Sequence, residues 1–159
     1  MTVEGPWKVS FDPKWGGPAD PVIFEALADW TSRSEEGVKF YSGTATYRAS
    51  FNLQSSMLQS PLLLDLGTVH ALATVRLNGK DLGVVWRAPW RVDITNAVKA
   101  GRNELEIDVV TPWLNRMVGD LALSAEKRVT TIPKRFPPNP KSPLEPSGLL
   151  GPITIQEAQ

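Results

Sequence analysis

Apolar and polar residues alternate along much of this chain, the period of strands that bury one face. Ala71, Ala73, Val75 and Leu77 share one parity, while Leu72, Thr74 and Arg76 take the other. Asn78-Gly79 follows, and both residue types tolerate the positive φ of a two-residue type I′ turn. A hairpin with this loop sets Leu77 against Lys80, Arg76 against Asp81 and Val75 against Leu82. That register pairs opposite charges on one face and apolar side chains on the other. The same parity carries Leu82, Val84 and Trp86 inward.

Trp7, Val9 and Phe11 alternate with Lys8 and Ser10 in a first strand. A loop rich in proline and glycine comes next, and Phe24–Trp30 fits either a helical turn or an extended segment. Ser32–Gly37 is polar and expected at the surface. Ala45, Tyr47, Ala49, Phe51 and Leu53 predict a long strand, followed by a connection over Ser55–Pro61. Leu62–Leu66 is short and almost wholly apolar, as a strand covered on both faces would be. Asn96–Ala100 fits one helical turn closed by Gly101. Leu105, Ile107 and Val109 alternate with Glu104, Glu106 and Asp108, and Thr111-Pro112 ends that strand. Trp113–Leu123 has the makings of a short helix interrupted at Gly119. Pro133–Pro152 reads as an irregular segment that wraps over the surface before a closing strand at Ile153–Ile155.

Several short strands between turn signals predict an all-β fold, an antiparallel β-sandwich in a single domain over residues 1–159. Fourteen prolines and 12 glycines agree, because they break long helices. Lys+Arg and Asp+Glu each number 17, so no charge excess draws the chain to nucleic acid or to an anionic membrane. No apolar run approaches the length of a membrane span. Cysteine is absent, which excludes disulfides and thiolate metal sites. The first residues lack the charged and apolar regions of a signal peptide. The chain is therefore read as cytoplasmic or as a part of a longer, exported precursor.

Four stretches in order carry a resemblance. LNGKDLGVVWRAPWRVDIT at 77–95 resembles the sugar-binding β-sandwich domain of glycoside hydrolase family 2. DWTSRSEEGVKFYSGTATY at 29–47, TPWLNRMVGD at 111–120 and PSGLLGPITI at 146–155 are similar to the C-terminal module of α-L-rhamnosidase-like enzymes of glycoside hydrolase family 106. The resemblance implies a jelly roll of the galactose-binding type. It also implies a non-catalytic accessory role beside a separate catalytic domain, in a periplasmic or extracellular parent enzyme. The implied partners are a plant or bacterial polysaccharide and that catalytic domain. The alternative is a purely structural module packed on a catalytic domain or another subunit, and an independent glycosidase ranks behind both.

His70 is the single histidine and has no second ligand or Gly-x-Ser-x-Gly elbow beside it. Glu104, Glu106 and Asp108 share a strand face, but a pair of acids flanking a glycosidic bond is not evident. Asp93 in Asp-Ile-Thr reads as a turn acceptor. No cofactor is called for. A structural calcium ion, which takes six to eight oxygen ligands, is compatible with the resemblance, but no Asp-x-Asp-x-Asp-Gly loop assigns its ligands. Of six tryptophans, Trp7 and Trp86 fall on inward parity and are assigned to the core. Trp90 and Trp113 stand at irregular positions, open to packing or to stacking on a sugar. With Arg87, Asn115 and Arg116 they form the candidate carbohydrate site. Trp86–Arg91 and Trp113–Arg116 are expected at one end of the sandwich, provided the strand from Arg91 runs antiparallel beside Leu105–Val109.

Overall fold

A computed structural model describes residues 1–135 and 137–158. Its strands and helices in order are β1 (Trp7–Phe11), β2 (Val22–Phe24), α1 (Glu36–Lys39), β3 (Gly43–Leu53), β4 (Leu62–Asp65), β5 (Thr68–His70) and β6 (Leu72–Leu77). These are followed by β7 (Lys80–Val85), β8 (Arg91–Asp93), β9 (Gly101–Thr111), α2 (Leu114–Leu121), β10 (Gly148–Gly151) and β11 (Thr154–Glu157). Six strands form one sheet in the order β2-β1-β3-β9-β6-β7. The opposing layer consists of the pair β10-β5 and the triplet β11-β4-β8, and all of these strand pairs are antiparallel. The fold is the expected all-β antiparallel sandwich.

The alternation in sequence becomes the two faces of the large sheet. Val9, Tyr47, Ile107 and Val75 lie in one row across four strands, and none exposes any surface. The neighbouring outward row reads Lys8, Arg48, Glu106, Arg76 and Asp81. Its charges alternate from β9 to β7, and Glu106 takes Arg48 on one oxygen and Arg76 on the other, each at 2.6 Å. Arg76 also reaches Asp108 at 2.5 Å, and these two acceptors hold its guanidinium above the usual arginine pKa. Ion pairs this exposed contribute little individually, so the sheet rests on its inner rows.

The hairpin is as expected at its turn, with φ of 53° at Asn78 and 79° at Gly79. Leu77 faces Lys80 and Arg76 faces Asp81. Beyond that point the expected register fails. Thr74 faces Val84 and Ala73 faces Val85, so an extra residue has entered β7 at Leu82-Gly83. Gly83 takes φ of 89°, and its amide is held by Asp81 Oδ1 at 2.7 Å. Such a bulge reverses the strand's parity. Leu82 and Val85 turn toward the core, while Val84 is 55% and Trp86 68% exposed. Assigning Trp86 to the core is therefore corrected; Trp7, at 1%, is core.

Other boundaries shift for local reasons. The run from Ala71 begins its strand at Leu72, because β5 pairs with β10 in one layer and β6 with β9 in the other, so the chain changes layers at Ala71. Phe24–Trp30 splits into the end of β2 and a 3-10 turn at Trp30–Ser32, capped by Asp29 accepting from Thr31 N at 2.9 Å. The polar Ser32–Gly37 stretch feeds the single turn α1, which buries Val38. Gly119 does not interrupt α2. A Cβ there would lie 2.8 Å from the Phe40 side chain, so glycine lets the helix press against the segment before β3.

Candidate functional site

Asp12, just past β1, caps a 3-10 turn over Pro13–Trp15 by accepting from Lys14 N at 2.9 Å, and Gly16 closes it with φ of 79°. This turn presents Trp15. On the neighbouring side β9 ends at Thr111, and Trp113 occupies the position before α2. The two indoles meet edge to face, with ring centroids 4.9 Å apart at 72°. Trp113 is 38% exposed, and the pair opens onto a pocket of about 360 Å³ completed by Met117, Val129, Thr130 and Thr131.

The polar groups of α2 that hold one wall of this pocket are enclosed and do not line it. Asp120 is wholly buried, and its Oδ2 accepts from Val129 N, Thr130 N and Thr130 Oγ1 at 3.0, 2.7 and 2.7 Å. That carboxylate clasps the 129–130 segment onto α2. Its Oδ1 lies 2.9 Å from Arg116 Nη2, an ion pair without hydrogen-bond alignment. Arg116 Nε is also enclosed with no aligned partner among the described residues. Asn115 is equally internal. Its amide donates to Glu145 O at 2.7 Å and Ser147 Oγ at 2.9 Å, and its carbonyl accepts from Glu145 N at 2.9 Å. Asn115 and Arg116 thus stand beneath the surface at 2% and 6% exposure, where they tie α2 to its surroundings.

The remaining candidates lie apart from this pocket. Trp90 is half-buried against the core, and its carbonyl accepts from Leu66 N at 2.8 Å. Arg87 lies over the Trp86 ring, 5.5 Å from its centroid, beside a separate shallow pocket of about 240 Å³ formed by residues 84–89. Both groups leave the same end of the large sheet, since Val110 pairs with Leu72 and Ala73 with Val85. The expected cause is corrected: β8 pairs with β4 in the other layer and is no neighbour of β9. Trp15, Thr130 and Thr131 were not foreseen. Trp15 sits in a proline-glycine loop and the threonines in a stretch without periodicity, so no pattern connects them.

The acids are engaged in the fold. Asp65 accepts from Arg91 at 2.7 Å and from Gly67 N at 2.9 Å. Asp93 accepts from Thr95 N at 2.9 Å, the expected turn, and the Thr95 hydroxyl and amide hold its carboxyl below the usual range. Among the described residues, no three His, Cys, Asp or Glu side chains are grouped to hold a metal ion. His70 is half-buried in β5 opposite Gly148.

Comparison with known proteins places this geometry in a family. The family profile described as glycosyl hydrolase 2 galactose-binding domain-like matches residues 27–135. A curated relative, a putative β-glucuronidase of Formosa agariphila, is 38% identical over 179 aligned residues. That alignment takes in 98% of this chain and 15% of the relative. The solved structure of a rhamnosidase from Novosphingobium sp. PP1Y superposes with a TM-score of 0.87 at 38% identity, over 98% of this chain and 14% of that one. A β-glucuronidase of Ruminococcus gnavus shares the fold at a TM-score of 0.59 and 21% identity, over 70% of this chain and 21% of that one. The sandwich described here belongs to the glycosyl hydrolase 2 galactose-binding domain-like family.

Proposed function

We propose that this domain is a non-catalytic accessory module of a glycoside hydrolase, and that it contacts carbohydrate through the Trp15–Trp113 pocket. The observation that carries the reading is the pair of indoles at the surface beside Thr130 and Thr131. Ring faces suit the C–H faces of a pyranose, and hydroxyls suit its polar edge. The engagement of Asp65, Asp93, Glu106, Asp108 and Asp120 in structural contacts supports a role without hydrolysis of its own. The names of the relatives, a putative β-glucuronidase and a rhamnosidase, support a hydrolase as the parent. The chain spans only 15% and 14% of their lengths. The parent's catalytic domain and a plant or bacterial polysaccharide are the proposed partners.

A glycan array on the purified chain tests the reading. Binding that Trp113→Ala weakens about tenfold or more, with the denaturation midpoint unchanged, is the expected result. No binding to any glycan would overturn it. A second reading, a module that serves only to pack on a catalytic domain, is favoured by the outward Val84 and Trp86 with Arg87 stacked above. Loss of association with a separately expressed catalytic domain in Trp86→Ala would support that reading.

A further inference from the structure

Of six asparagines in the chain, only Asn78 precedes a glycine. The fold ties it down on every side. Its main-chain amide donates to Glu104 O at 2.8 Å, and its Oδ1 takes Glu104 N at 3.0 Å, so it carries the β6–β9 ladder one residue past Leu77. Its Nδ2 donates to Ala97 O and to Asn103 Oδ1, each at 2.8 Å. Asn103 is wholly buried and is itself held by Lys99 N, Lys99 O and Gly101 O. Both ends of the Asn78 carboxamide are thus engaged. Gly79 is the opposite case. It is exposed, and a Cβ there would meet nothing within 4 Å. With no side chain on Gly79, nothing hinders a carboxamide that swings onto its main-chain nitrogen.

We infer that Asn78 is a deamidation site gated by the fold. The carboxamide stays intact while Ala97, Asn103 and Glu104 hold it, and it closes on Gly79 N once the turn opens. In that step solvent base takes the proton from Gly79 N, and the nitrogen attacks Asn78 Cγ. The new C–N bond forms as the Cγ–Nδ2 bond breaks, and Nδ2 leaves as ammonia with a proton from water. Water then opens the five-membered succinimide at one carbonyl or the other, giving aspartate or isoaspartate, with no change of oxidation state. Either product bars the way back. Aspartate can still accept from Glu104 N, but it has lost both donors and sets a carboxylate against the Ala97 and Asn103 oxygens. Isoaspartate adds a backbone carbon to a two-residue turn, whose length sets the hairpin register.

The test holds the purified full chain in mildly alkaline buffer, folded and in urea, and follows each asparagine by peptide mapping with an isoaspartate assay. In urea Asn78 should deamidate at least about tenfold faster than any other asparagine, because it alone has glycine beside it. In the folded chain Asn78 should react about thirtyfold more slowly than in urea, since its side-chain bonds must break before Cγ can turn. Protection of the Glu104 amide from hydrogen exchange should match that slowing within about threefold, because one opening releases both groups. Asn78→Asp, the first product, should lower the urea midpoint or fail to fold. Equal rates in the folded and unfolded chain, a slowing that does not track Glu104 protection, or an Asn78→Asp midpoint equal to that of the unaltered chain would overturn the inference.

Discussion

Trp30 Nε1 donates to the Tyr47 hydroxyl at 2.5 Å, and the same oxygen receives Leu149 N at 3.2 Å from the opposing layer. The Trp30 and Tyr47 rings stack at 13°, with no exposed surface on either residue. One phenol thereby joins the large sheet, the Trp30 turn and β10. Burial pushes its pKa up, so the hydroxyl stays protonated. Tyr47→Phe keeps the ring but strips two buried donors of their acceptor. The variant should lose about 2–4 kcal/mol, read from the urea midpoint, because unsatisfied buried donors cost more than the bond itself contributes.

The two residues of the hairpin turn should differ in importance. Asn78 Nδ2 donates to Ala97 O and Asn103 Oδ1, each at 2.8 Å, and its Oδ1 receives Glu104 N at 3.0 Å. Gly79 has only its φ of 79° to maintain, since a Cβ there would touch nothing within 4 Å. Gly79→Ala should cost about 1 kcal/mol and Asn78→Ala about 2–3 kcal/mol, measured by denaturation. Equal losses would mean that the Asn78 bonds contribute nothing.

Gly67 and Gly101 offer a sharper comparison, since both take positive φ, 69° and 79°. A Cβ on Gly67 would fall 2.3 Å from the Gly151 carbonyl carbon, backbone on backbone, whereas Gly101 is open. Gly101→Ala should cost about 1 kcal/mol from the left-handed conformation alone. Gly67→Ala should exceed about 3 kcal/mol, because β-bridge partners must separate as in overpacked cores.

Acid should weaken the fold. Hydrogen bonds from Arg33 lower the pKa of Glu35, and those from Thr95 lower that of Asp93. A carboxyl depressed in the folded state contributes fully above its unfolded pKa, and the contribution is lost as pH falls through the folded value. Urea midpoints should therefore hold steady from neutrality to about pH 4 and decline below it. Arg33→Ala should make that decline shallower. A midpoint that rises on acidification contradicts the assignment.

Trp86→Ala should change stability by less than about 0.5 kcal/mol, as exposed substitutions do. Trp7→Ala should cost about 3–5 kcal/mol. Parallel denaturation of the two variants checks the placement of both rings.

Alternation made the large sheet legible. β1, β3, β6 and β9, which alternate in sequence, alternate in burial, and Asn-Gly set the turn correctly. What escaped detection lay where a single residue interrupts the period. Gly83 looks like an ordinary glycine in a strand, yet its bulge turns Trp86 outward. Asn115 and Arg116 looked like surface donors beside Trp113. They are enclosed because Glu145 and Ser147 return to meet Asn115, and Ser42 meets the Arg116 amide. Such contacts span tens of residues through irregular chain, where no local pattern carries information. Trp113 could be singled out from composition and position, but its neighbour Trp15 required the fold.

The extra residue at Leu82-Gly83 works as a half rotation of the edge strand. Removing one residue there would send Val84 and Trp86 toward the interior and bring Val85 to the surface. The hairpin turn and the four inner strands β1, β3, β9 and β6 need not move. Whether this edge displays an indole or a plain aliphatic surface is thus set by the loss or gain of one codon.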